Sequence, residues 1–268
     1  MKKVFVLGAL SLALGNVVMS QKSTELAFPL GEKIEFKVYY GWFALGEASM
    51  SLADSLTKRG SKHYYHSKIE ARTVGLFSWL AGIDNSYWGF VNPQNYKTIL
   101  SEKHLDERDG KVDQWNSFNY DRMQTDVRVI DHSATPAEEE KFSVDLTEDT
   151  YDMHGTYMYL RSQLGRKLQK GDSLLIKTYW SRKLYDFGME YGGEEKIKFN
   201  GGKVKTKKYY GLFPVSRTFP KERAVTVYVL EKAGMTIPLL IEAEMKIGKV
   251  RCELKQYSIG GKELLTSE

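Results

Sequence analysis

One cysteine stands among the 268 residues, so no internal disulfide can form and the core has to hold the fold. That residue, Cys252, lies in an alternating stretch near the C-terminus, where it reads as a small buried apolar side chain. Prolines number only six, which argues against disorder. No G-x-S-x-G elbow is present, and Cys252 has no recognisable catalytic partner. The pairs Gly192-Gly193 and Gly201-Gly202 precede no predicted helix, so neither makes a phosphate loop. Histidines are few. His63 and His66 are three apart in a predicted strand and point to opposite faces, while His104, His132 and His154 have no partner at ligand spacing. Glu242 and Glu244 share one strand face instead of opposing across a cleft. Asp84, beside Tyr87 and Trp88, reads as a strand-start residue. No catalytic residue, metal or cofactor is expected.

Long apolar runs are lacking too, with one exception at the start. Lys2 and Lys3 precede the run Val4 to Val18, and Val18 and Ser20 stand three and one positions before a cut that leaves Gln21 first. These are the parts of a cleavable secretory signal. The run is shorter than the ~20 residues of a spanning helix and contains Gly8, Gly15 and Asn16. Met235 to Ala243 is shorter still and contains Pro238, so no transmembrane segment is expected after cleavage. No cysteine follows the signal to accept a lipid. The expectation is an exported soluble protein, periplasmic first, with the cell surface or the medium as alternatives.

Removing residues 1–20 takes two of the 39 basic residues and no acids, leaving 37 against 34, a net charge of +3. That excess favours solubility and is no nucleic-acid footprint. Lys203, Lys205 and Lys207 recur at period two beside Lys208, which suggests a solvated face, a guarded sheet edge, or a contact for anionic lipid or glycan.

Aromatics are abundant, at 13% of the chain with 17 tyrosines, and suit pleated, half-buried surfaces. Alternation runs from residue 32 onward. Strands are expected near 32–40, 46–52, 64–72, 85–91, 97–106, 111–120 and 125–131. A second set is expected near 173–180, 187–199, 203–212, 224–231, 239–247 and 250–259. Asp109-Gly110, Asn200-Gly201-Gly202 and Gly248-Lys249 supply hairpin turns. Residues 132–141 read as a polar surface loop. One helix is predicted over 149–164, capped by Asp149 or Thr150, with Met153, Tyr157, Leu160 and Leu164 on one face and Gly165 as its stop. The fold class is therefore mainly β. About a dozen antiparallel strands form a curled sheet, half-barrel or barrel, with one central α-helix packed against it. One mature domain spans 21–268, in halves of about 26–131 and 173–259.

Gly31 to Tyr40 (GEKIEFKVYY) followed by Leu45-Gly46-Glu47-Ala48 resembles the opening of the bacterial exported family called domain of unknown function 3108. Ala71-Arg72-Thr73 with Asp84-Asn85-Ser86-Tyr87 is similar to its second hairpin. Asp152 with Tyr157-Met158-Tyr159-Leu160-Arg161 is similar to its central helix. Pro238 to Ala243 with Ile247-Gly248-Lys249-Val250 is similar to its closing hairpin. The resemblance spans about 26–258 and implies no catalytic residues.

Bulky apolar residues stand where loops are normally polar. Trp42, Phe43 and Leu45 occupy a turn, and Leu76, Phe77, Trp79 and Leu80 a connection; with Trp88 they form the candidate rim. They either plug the open end of the sheet or meet a ligand or partner. The functional expectation is a non-catalytic binding or carrier module for a lipid-like, other apolar or glycan ligand. The alternative is an interaction or assembly factor in envelope biogenesis.

Overall fold

The computed structural model describes residues 26–75, 78, 82–216, 219–246 and 248–267. The signal segment, with Leu76, Phe77, Trp79 and Leu80, lies outside the described residues. Alternating sequence gives β1 (Glu32–Tyr40), β2 (Phe43–Leu52), β3 (Thr57–Arg59), β4 (Lys62–Thr73), β5 (Asp84–Val91), β6 (Thr98–Glu107), β7 (Gly110–Asn119), β8 (Gln124–Asp131), β9 (Glu138–Asp145) and β10 (Thr150–Tyr151). The helix α1 (Met153–Ser162) follows. After it come β11 (Ser173–Trp180), β12 (Lys183–Phe199), β13 (Gly202–Leu212), β14 (Val225–Lys232), β15 (Met235–Met245), β16 (Gly248–Ile259) and β17 (Lys262–Thr266).

All 17 strands belong to one sheet. It runs from β9 through β8, β7, β6, β5, β4, β2, β1, β16, β15, β14, β13 and β12 to β11 and β10. β3 extends the sheet beside β4, and β17 beside β16. The first and last thirds of the chain are joined by β1 lying against β16, from Glu32 opposite Ile259 to Tyr40 opposite Val250.

Three expectations are corrected. The strands exceed the dozen foreseen. Residues 138–141, within the stretch 132–141 read as loop, begin β9, whose Glu138-Glu139-Glu140 start hides its alternation. The sheet is not wholly antiparallel, because β10 runs parallel to β11; α1 and the chain after it supply the crossover that a parallel pair needs.

The sheet curls until its two ends face each other, but no ladder joins β9 to β10 or β11 among the described residues. Side chains close the gap. Phe118, Val127, Leu146 and Tyr179 form a buried cluster with Phe142, Val144 and Leu184, and Arg182 grips Glu140 while lying 4.3 Å from the Phe142 ring. Elsewhere the inner face packs Ile34, Phe36, Ile237, Leu239, Leu254 and Tyr257 into a core. Each large apolar side chain buried there contributes about 1.5–3 kcal/mol. Cys252 packs against this cluster, half-buried as expected of a small apolar residue, and burial pushes its thiol up to about 11.

The helix is enclosed. No residue of α1 is exposed, and its most buried ones are His154, Gly155, Thr156, Met158 and Arg161. The single apolar face predicted for it is therefore too simple, and Leu164 lies beyond its end. Its cap is Asp152, not Asp149 or Thr150: the carboxylate accepts from Gly155 N at 2.7 Å and from the Thr98 hydroxyl. Asp152→Ala should therefore cost about 0.5–2 kcal/mol of unfolding free energy in urea, whereas Asp149→Ala, at an exposed position, should leave the midpoint in place.

The enclosed helix carries a charge inward. Arg161 is bidentate to Glu32, at 2.5 and 2.7 Å, with both side chains buried. Tyr257 donates to Glu32 Oε1 at 2.7 Å, and Arg161 also donates to Thr236 O at 3.1 Å. One guanidinium thus ties α1 to β15 and, through Glu32, to the start of β1 and to β16.

Candidate functional site

The expected rim residues do not form one site. Trp42 and Phe43 sit at the tip of the β1–β2 hairpin, 80% and 44% exposed. Their rings stack at 3.9 Å. They do not plug the sheet. Gly41, at φ +58°, turns the chain, and a side chain there would meet nothing within 4 Å. Leu45 is half-buried and accepts Val74 N at 3.0 Å, which keeps the start of the 74–83 connection at the same end of the sheet. Phe77 and Trp79 of that connection lie outside the described residues. The β13–β14 connection leaves the sheet at this end as well and exposes Val215.

Basic groups stand beside the tip. Gly41 N donates to Lys249 O at 3.3 Å, and Arg251 Nη2 donates to Gly41 O at 3.3 Å. Lys246 and Lys249 are exposed. Lys249 pairs with Glu242 and Glu244 with Lys221, so that carboxylate pair belongs to the solvated surface.

Trp88 lies apart, on the outer wall, within a row of rings crossing four strands, β4 to β7. Arg59 lies 4.0 Å from the Phe90 ring, Phe90 stacks on His66 at 4.6 Å, and His66 meets Trp88 at 5.6 Å. Trp88 then reaches His104 at 6.3 Å, His104 reaches Trp115 at 5.9 Å, and Arg128 lies 5.2 Å from Trp115. Cross-strand pairs of this kind stabilise a sheet, and the cations already cover ring faces that a sugar would use. His104 and His132 share Asp113, at 2.7 and 2.8 Å, and their hydrogen bonds help hold its carboxyl below the usual range against the opposing pull of burial. Sequence spacing does not reveal this pairing, because its members come from β6, β7 and the residue after β8. No group of three metal-binding side chains occurs among the described residues. Three of the four β13 lysines are likewise paired: Lys205 with Glu194, Lys207 with Glu231 and Lys208 with Glu195.

A cavity beside the first turn of α1 measures about 30 Å³, and another beneath Phe28 and Met158 about 10 Å³. Larger hollows include one of about 510 Å³ over Trp115, Val127 and Phe142 and one of about 360 Å³ over Lys33, Glu47, Arg72 and Lys255. There Lys255 and Arg72 donate to Glu47 at 2.8 and 2.7 Å and hold its carboxyl down at about 2. Among the described residues no helix is long and apolar enough to cross a membrane.

These features define an open, barrel-like β wall around a helix. The solved structure of a β-barrel-like protein of domain of unknown function 1849 from Brucella abortus shares this fold. The TM-score is 0.53 at 8% identity, over 87% of this chain and 99% of that one. The sequence pattern of the family described as protein of unknown function DUF3108 matches residues 35–255, and the chain belongs to that family. No curated protein matches the chain in sequence.

Proposed function

We propose that the protein is an exported, non-catalytic binding module of the bacterial envelope, periplasmic, that meets an anionic lipid surface through the Trp42–Phe43 tip. The observation that carries the reading is Trp42 itself, 80% exposed and stacked on Phe43 at a hairpin tip. Burying apolar area gains about 25 cal/mol per Å², so covering the protruding indole is favourable. Tryptophan beside the exposed Lys246, with Lys249 and Arg251 on surface ion pairs to Glu242 and Glu253 that phosphates can replace, is the chemistry of a lipid headgroup boundary, where the indole sits at the interface and the cations meet phosphates. The export signal read from residues 1–20 supports the compartment. A carrier that engulfs its lipid around the helix has less support, because ligand pockets need several hundred Å³ and the spaces beside and beneath α1 hold about 30 and 10 Å³.

The test is sedimentation with phosphatidylglycerol vesicles and with phosphatidylcholine vesicles. The wild type should follow the anionic ones. Trp42→Ser with Phe43→Ser should weaken binding about tenfold or more, since losing even one buried aromatic exceeds the 1.4 kcal/mol of a decade. Equal sedimentation of variant and wild type would remove the tip from the function. Binding to neither vesicle, with a protein partner lost in the double variant, would establish the interaction-factor reading instead.

A further inference from the structure

We infer that the cavity beside the first turn of α1 is a binding site for a small carboxylate anion, with Lys103 as its counter-ion. The cavity is lined by Tyr87, Ser101, Lys103, Gln114, Asn116, Asp152, His154 and Trp180, among others. Strand register places Lys103 on the inner face of β6, opposite Tyr87 of β5 and Gln114 of β7. An ammonium in such a place normally has a carboxylate. Lys103 has no ion pair among the described residues; its nearest recorded company is the Trp180 ring, 5.4 Å away. Burial pushes its amine below the ordinary lysine value, with only a weaker opposing pull from Glu107.

The remaining lining supplies donors. Gln114 Nε2 donates to Asn116 Oδ1 at 2.7 Å, Tyr179 donates to the same oxygen at 3.3 Å, and Asn116 Nδ2 donates to Ser101 Oγ at 3.1 Å. This chain fixes both amides and leaves unspent a second N–H on each and the Ser101 proton. His154 is wholly buried, and burial pushes its imidazole down, so it is neutral. Its Nδ1 lies 3.0 Å from Ser67 Oγ, and its Nε2 has no partner. With Ser67 donating to Nδ1, Nε2 carries the proton and is a further unused donor. Of the carboxylates at the margin, Glu102 faces His104 on the outer wall, and Asp152 Oδ1 accepts from Gly155 N and the Thr98 hydroxyl. Lys103 is the cation on a lining rich in donors, which favours an anion at its end of the chamber, and about 30 Å³ holds about two water-sized groups, the size of a carboxylate's two oxygens.

The inference stands apart from the lipid contact and is tested separately, on the full chain at pH 7. Sodium acetate is titrated against sodium chloride at equal ionic strength, and backbone amide resonances are followed. Saturable shifts at residues 101–105, 114–116 and 152–155 are expected in acetate alone. Lys103→Met should weaken acetate binding about tenfold or more, while Lys68→Met on the outer wall should not. Lys103→Met should also melt no lower than wild type, since it removes an unpaired desolvated charge. If it fails to fold, the unaltered protein still decides: bound acetate must raise the Lys103 amine titration, with Tyr87, Glu107, Asp152 and His154 as the groups that face it. Shifts equal in both salts, unchanged binding in Lys103→Met, or a Lys103 titration that ignores acetate would each overturn the site.

Discussion

Arg161→Met should lower the unfolding free energy by about 3–5 kcal/mol, the ordinary cost of stranding one partner of a buried ion pair. The variant leaves the Glu32 carboxylate buried with only Tyr257 donating to it, and takes two donors from Thr236 O. It also cuts the polar tie between the enclosed helix and β1, β15 and β16. Adding Glu32→Leu should recover a large part of the loss, because removing both charges removes the uncompensated one. Urea unfolding at pH 7 reads both. A double variant no more stable than Arg161→Met would mean that the guanidinium acts by packing alone, through its contact with Phe28 at 5.0 Å.

The second large effect is expected at Gly89. The inner face of the wall under the first turn of α1 is made of small residues, with Ser67 and Ser101 opposite Gly89 on either side. A Cβ at Gly89 would come within 2.7 Å of the His154 ring carbons. Gly89→Val therefore overpacks the helix seat and should cost about 1–3 kcal/mol, although valine is the better strand former. At this chain length that is a fall of about 2–4 °C in Tm per kcal/mol. Ser86→Val on the outer face of the same strand should stay within about 0.5 kcal/mol. Equal effects at the two positions would show that the helix is not seated on Gly89.

The strands were legible because alternation is a local property, visible in four or five residues. Thus β4 to β8 lie within a few residues of where the sequence puts them. β9 was hidden by three consecutive glutamates at an exposed edge, and β10 has only two residues. The helix was legible as a helix but not in its setting. Apolar periodicity singles out Met153, Tyr157 and Leu160, yet His154, Thr156 and Arg161 are buried because their partners arrive from elsewhere in the chain, Glu32 from 129 positions away. The cavity was missed for the same reason: Lys103 in an alternating strand looks like any solvated lysine until register sets it inside. Trp42 and Phe43 stand out in the sequence as bulky residues at a turn, but Phe43 opens β2, and sequence alone does not separate plug from projection. Trp88 was grouped with them by composition, and the structure assigns it to the wall.

The claim that the hairpin tip is a lipid contact is tested most directly by an environment-sensitive fluorophore at the tip. Cys252→Ser removes the single native thiol, and Trp42→Cys or Leu175→Cys, the latter exposed on the wall, introduces the label. With phosphatidylglycerol vesicles, the label at position 42 should shift to the blue and the label at 175 should not. A label at 42 whose emission stays that of water while the protein is bound to vesicles would contradict the account.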